Sequence, residues 1–166
     1  SVLQKNSLQL LSDKFSASMI DYDIHNFHHS TNSVWQKKTN ADFNALLNKN
    51  GEIPSGSYVL TEDVTASRTI RVLAGRTVNI CLNGHTLHSN SVLFRVYGNL
   101  NLCDCHAEDQ EGTYQSAHTY DSDATDAGEY TPIAYCYYNS VTNFYGGNMK
   151  ALNPISFAGL VAVSHD

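Results

Sequence analysis

The residues of this 166-residue chain with the most chemical potential are four cysteines, two arginines and a crowd of tyrosines and acids in its second half. Cys81, Cys103, Cys105 and Cys136 admit three complete disulfide pairings. Cys103-Asp104-Cys105 is not a Cys-x-x-Cys motif, so by itself it signals neither a redox pair nor a zinc site. Residues 106–131 hold Glu108, Asp109, Glu111, Asp121, Asp123, Asp126 and Glu129 and no Lys or Arg. Asp121, Asp123 and Asp126 offer hard oxygen donors of the kind Ca²⁺ takes. Their spacing lacks the Gly and Glu of an EF-hand loop, and a solvated acidic loop is the competing reading. No other cofactor is implied. Eight of the ten tyrosines fall between residues 97 and 145. Tyr114, Tyr120, Tyr130, Tyr135 and Tyr137 are candidate contacts for a protein or sugar, because Tyr gives large amphipathic contact area at modest entropy cost. Tyrosines also line sheet exteriors without any ligand.

Other patterns are weaker. His25 and His29 stand four apart, with His28 between them, but no partner ligand is fixed by the sequence. His85 and His88 are expected at a chain corner. No Gly-x-Ser-x-Gly elbow and no phosphate-cradling Gly loop is present. The 42% hydrophobic content excludes a wholly disordered chain. Ten Lys and Arg against sixteen Asp and Glu, a net charge of −6, argue against nucleic acid as a partner. No apolar run reaches the roughly 18 residues that span a bilayer, so membrane insertion is not expected. Nor does the opening stretch have the basic and apolar regions of a signal peptide. Charged residues are 16% of the chain, below the roughly 25% usual in soluble domains, which suits strands with neutral polar outer faces.

The elements that must position these residues change character at Gly51. Before it the chain reads as helical. Leu8, Leu11, Phe15 and Met19 make one apolar stripe, and a polar His-rich connection follows over residues 21–33. A second helix fits residues 40–50, capped by Thr39 or Asn40 and ended by Gly51. Residues 1–50 are thus expected to form a helical cap. After Gly51 short β-branched segments repeat. Thr69-Ile70-Arg71-Val72 returns as Leu93-Phe94-Arg95-Val96 and more loosely as Ile133-Ala134-Tyr135-Cys136. Thr77-Val78-Asn79-Ile80-Cys81 returns as Asn99-Leu100-Asn101-Leu102-Cys103 and then as Val141-Thr142-Asn143-Phe144-Tyr145. Recurrence at 22 to 24 residues, with two or three short strands each time, predicts a β-solenoid over residues 51–166, interrupted by an acidic insertion at 106–131.

In such a coil like residues stack about 4.8 Å apart. Alternation turns Ile70, Val72, Phe94, Val96, Ala134 and Cys136 inward, with Val78, Ile80, Leu82, Leu100 and Leu102 as a second column. Asn83-Gly84 reads as a tight corner. Arg71, Arg95 and Tyr135 become one outward column, either a cationic-aromatic strip for a sugar acid or acidic partner, or solvated guanidiniums leaning on neighbours. Leu93, Ile133 and Tyr137 are also expected outward. Cys81 and Cys103 take equivalent outward places at a separation a disulfide can bridge. Cys105 and Cys136 bracket the insertion, although an inward Cys136 argues against their bond. Free stacked thiols are the remaining alternative.

The runs Gly56 to Val64, Arg76 to Leu87 and Gly98 to Cys105 resemble the opening coils of right-handed parallel β-helix segments, of pectate-lyase-like type, in secreted or surface proteins of Gram-positive, often gut-dwelling, bacteria. The resemblance covers roughly residues 40–150. It implies a mainly β fold, a short right-handed parallel β-helix with an N-terminal α-helical cap, and an extracellular or cell-surface setting as part of a larger chain. That superfamily includes lyases, hydrolases, adhesins and inert stalks. Its enzymes place carboxylates on the outer faces of neighbouring coils, and the outward strand positions here hold none. No catalytic residue is therefore assigned. The expected function is a non-catalytic binding or adhesion module that recognises a host protein or glycan through an acidic, Tyr-rich surface. The alternatives are a carbohydrate-active enzyme, a binder of host immunoglobulin and a structural stalk.

Overall fold

The structure is a computed structural model that describes residues 34–106, 110–119, 132–153 and 160–163. The chain winds through about four turns of three short strands each. It enters with β1 (Trp35–Lys38) and the single described helix, α1 (Asn40–Leu46). Next come β2 (Gly56–Leu60), β3 (Val64–Ala66) and β4 (Ile70–Val72), then β5 (Thr77–Cys81), β6 (Thr86–Ser89) and β7 (Phe94–Val96). The third set is β8 (Asn99–Cys103), β9 (Thr113–Ser116) and β10 (Ala134–Cys136). The last is β11 (Val141–Phe144), β12 (Asn148–Ala151) and β13 (Val161–Val163). Three sheets result, β1-β2-β5-β8-β11, β4-β7-β10-β13 and β3-β6-β9-β12, and every pairing in them is parallel.

Stacking builds the core. Ile70, Phe94 and Ala134 pair in one column, Val72, Val96 and Cys136 in the next, and Tyr58, Ile80, Leu102 and Phe144 in a third. All are buried. Asn83 and Gly84 both take positive φ, 50° and 79°, which turns the chain sharply between β5 and β6. On the outer face of the first sheet the same registration makes a polar ladder. Asn143 donates to Asn101 at 2.9 Å, Asn101 to Asn79 at 2.7 Å, and Asn79 to Ser57 at 2.9 Å. Asn79 and Asn101 each donate and accept, so the ladder ties four successive strands of the sheet together. Asn101→Ala breaks two of its rungs and is expected to cost about 1–2 kcal/mol, read as a lower urea midpoint with an unchanged m value.

The entry end of the coil meets the problem of unpaired strand edges. Strand β1 covers β2. Backbone around Gly51 covers β4, where Arg71 donates to the carbonyl of Gly51 and Ile53 donates to that of Arg71. Helix α1 serves β3 through side chains. Asn40 Oδ1 accepts from Thr65 N, Asn44 Oδ1 accepts from Ser67 N, and Asn44 Nδ2 donates to the Thr65 carbonyl. Asn40 and Asn44 lie one helical turn apart, so two carboxamides imitate the missing strand. Thr39 caps the helix by accepting from Asp42 N, and Phe43 drops its ring into the core.

Four expectations change. The helix ends at Leu46 rather than near residue 50, because Leu47 already has extended backbone. Residues 35–38, within the span expected to be helical, form a strand of the solenoid itself. The insertion is not continuous: β9 lies inside residues 106–131 and stacks on β6, Thr113 on Thr86 and Ser116 on Ser89. Leu93 and Ile133 face the core with no exposure, since each precedes its strand at a corner where strict alternation no longer holds. The helix expected near the start, with His25, His28 and His29, lies outside the described residues.

Candidate functional site

The second sheet presents the arginine-tyrosine strip. Arg71 pairs with Arg95 and Arg95 with Tyr135, so three long side chains rise from one column of β4, β7 and β10. The next residue along each of the two later turns is also aromatic. Tyr97 and Tyr137 stack face to face, with centroids 4.1 Å apart and planes 10° from parallel. Tyr135 meets Tyr137 edge-on at 4.8 Å. The Arg95 guanidinium lies 6.0 Å from the Tyr135 centroid and donates to the Tyr137 hydroxyl. Burial, with the hydroxyl of Tyr97 alongside, holds the Tyr137 phenol above its ordinary pKa, while Arg95 pulls it back down.

The strip has depth. Arg95 and Tyr135 are 8% and 9% exposed and form its floor, whereas Arg71, Tyr97 and Tyr137 are half-buried and Tyr138 is 63% exposed. The floor holds the upper rings in place, which keeps the contact surface preorganised. Tyr97 was not among the binding candidates, yet its place was readable. If Val96 stacks beneath Cys136, the residue after each must also stack.

Tyr114 does not belong to this surface. It points inward from β9 with no exposure, and its hydroxyl donates to the carbonyls of Ile80 and Cys103, each at 3.0 Å. Its alignment with Leu87 of β6 explains why. Tyr120 and Tyr130 lie outside the described residues, as do the proposed Ca²⁺ donors Asp121, Asp123 and Asp126. His85 sits at the expected corner, 3.6 Å from Asp63. His88 instead lies within β6, where Nδ1 meets Gln115 and Nε2 meets Asn90, each at 3.0 Å.

All four cysteines are free thiols. Cys81 and Cys103 do stack as register partners, on the outer face of the first sheet. They are not exposed: Val59, Trp35, Cys105 and Tyr145 gather around them in a second small cluster. The Cys105–Cys136 pairing is not available. Cys136 lies in the main core against the Thr142 hydroxyl at 3.2 Å, while Cys105 belongs to the other cluster and donates to Asn83 Oδ1 at 3.2 Å.

No family model, curated protein or solved structure matches this chain. The thirteen described strands contain no Asp or Glu at all. Their outer faces present amides, hydroxyls, ammoniums, guanidiniums, phenols and the His88 imidazole, and so supply no pair of carboxylates to flank a glycosidic bond. No described helix is long and apolar enough to cross a membrane.

Proposed function

We propose that this chain is a non-catalytic binding module, displayed outside a Gram-positive bacterial cell as part of a longer β-helical surface protein. Its target is an acidic glycan, or a host glycoprotein that carries one. The observation that carries this reading is the two-layered arginine-tyrosine strip on β4, β7 and β10. Stacked phenols supply flat surfaces for sugar rings, and the guanidinium of Arg71 supplies a planar donor pair for a carboxylate. The lack of carboxylates on the described strands favours recognition over turnover. A host immunoglobulin is one such glycoprotein, and the pectate-lyase-like likeness of the coils fits a scaffold on which binding surfaces are grafted.

The test is a glycan array followed by titration of the best acidic glycan. Tyr137→Ala and Arg71→Ala are each expected to weaken binding about tenfold, or ~1.4 kcal/mol, with the fold retained. Equal binding by wild type and by the double variant would reject the strip as the contact surface. Cleavage of the bound glycan would promote the enzyme reading.

A further inference from the structure

At the corner after β5 and β8 a buried carboxylate meets two thiols. Asp104 follows Cys103 at the end of β8, at the level of Leu82 one turn before, and it has no exposure. Its Oδ1 accepts from Gly84 N at 2.9 Å and from His106 N at 3.2 Å, and its Oδ2 accepts from Gly112 N. Gly112 is obligatory for that approach, since a Cβ there would come within 2.0 Å of the His85 carbonyl oxygen. A carboxylate offers about four acceptor positions, and three are taken. Among the described residues no Lys or Arg pairs with Asp104. Buried charges are normally paired or bound to a metal.

The sulfurs lie beside it. Cys81 Sγ, Cys105 Sγ and an Asp104 carboxylate oxygen are all within 4.8 Å of one another. Cys81 is fully buried, and half-buried Cys105 gives solvent a way in. Hydrogen bonding to Cys103 and burial hold the Cys81 thiol above its ordinary pKa, and hydrogen bonding to Cys81 does the same for Cys105.

We infer that Cys81, Cys105 and Asp104 form a site for a thiophilic divalent ion of the zinc class. Thiolate sulfur and carboxylate oxygen are both donors that ion takes, and a water completes four-coordination through the opening at Cys105. Zinc-sulfur bonds of about 2.3 Å place two tetrahedral sulfurs about 3.8 Å apart, so the sulfurs need close by no more than about 1 Å, within reach of side-chain rotation. Each thiol releases its proton to solvent on binding, so the two thiolates balance the cation and the carboxylate of Asp104 gains a direct cationic partner. The site joins residues on successive turns and would staple the solenoid where the β8–β9 connection departs from it.

The experiment is alkylation of the reduced, folded protein by iodoacetamide, with and without equimolar Zn²⁺, mapped by mass spectrometry. Cys105 is expected to react at least tenfold more slowly with the ion than without it. Cys136, buried away from the site, serves as the internal reference and should not change relative to its own rate. An unchanged Cys105 rate, or equal protection of Cys105 and Cys136, overturns the site. In Cys81→Ala the protection of Cys105 should disappear, and protection persisting in that folded variant also overturns it. If circular dichroism shows the variant unfolded, the wild-type comparison alone decides.

Discussion

Asp104→Ala is expected to lower the stability of the metal-free, reduced protein by about 3–5 kcal/mol. The carboxylate is the acceptor for three backbone amides on both sides of one corner, Gly84 before it and His106 and Gly112 after it. Each buried donor left without a partner costs about 1–3 kcal/mol, and Gly112, fully covered, bears the full penalty. Water reaches half-buried Gly84 and His106 and softens theirs. Against a typical domain stability of about 5–15 kcal/mol, the loss is large. Urea unfolding in the presence of a chelator measures it. Asp104→Asn should fall between, because its amide keeps one acceptor but presents N–H groups to a donor. A loss below about 1 kcal/mol for the alanine variant would show that the corner is held by something else.

Tyr114→Ala should be comparably damaging for a different reason. The ring fills the solenoid interior between Phe94 and Phe144, at centroid distances of 6.1 and 6.2 Å. Removing it leaves a cavity that stacked backbone on either side cannot close, so about 3–5 kcal/mol is expected. Tyr114→Phe isolates the hydroxyl. The Cys103 carbonyl keeps the amide of Leu82 at 3.0 Å as a donor, so the loss there should be only about 1 kcal/mol. Thermal unfolding of the two variants separates packing from hydrogen bonding. Equal losses would contradict this division.

Both residues show where sequence reasoning stopped. Tyr114 looked like surface chemistry because it lay in an acidic stretch between segments that broke the repeat. Its inward aim follows from stacking on Leu87, and that registration was hidden by the extra residues on each side of β9. In the sequence Asp104 is simply the residue between two cysteines. Its three donors come from residues 20, 2 and 8 positions away, a convergence no local pattern displays. The cysteines follow the same rule. The stacking of Cys81 on Cys103 was legible from the repeat, whereas the approach of Cys105 to Cys81 depends on how the corner folds back.

The arginine-tyrosine column was legible because it is periodic. Once Phe94-Arg95-Val96 aligns with Ile70-Arg71-Val72, parallel pairing leaves the arginines no alternative to stacking. What the repeat did not reveal is that Arg95 and Tyr135 lie beneath Tyr137 rather than beside it, since layering depends on rotamers and on the residues following each strand.

The amino-acid sequence by itself determined the solenoid, its columns and its Asn83-Gly84 corner, because hydrophobic period, turn chemistry and recurrence are all local properties that parallel stacking repeats. Only the tertiary structure decided that Asn40 and Asn44 stand in for a strand, that Tyr114 is core, and that Asp104 gathers amides and thiols. Those outcomes rest on contacts between turns of unequal length, where an offset of a few residues changes which groups meet.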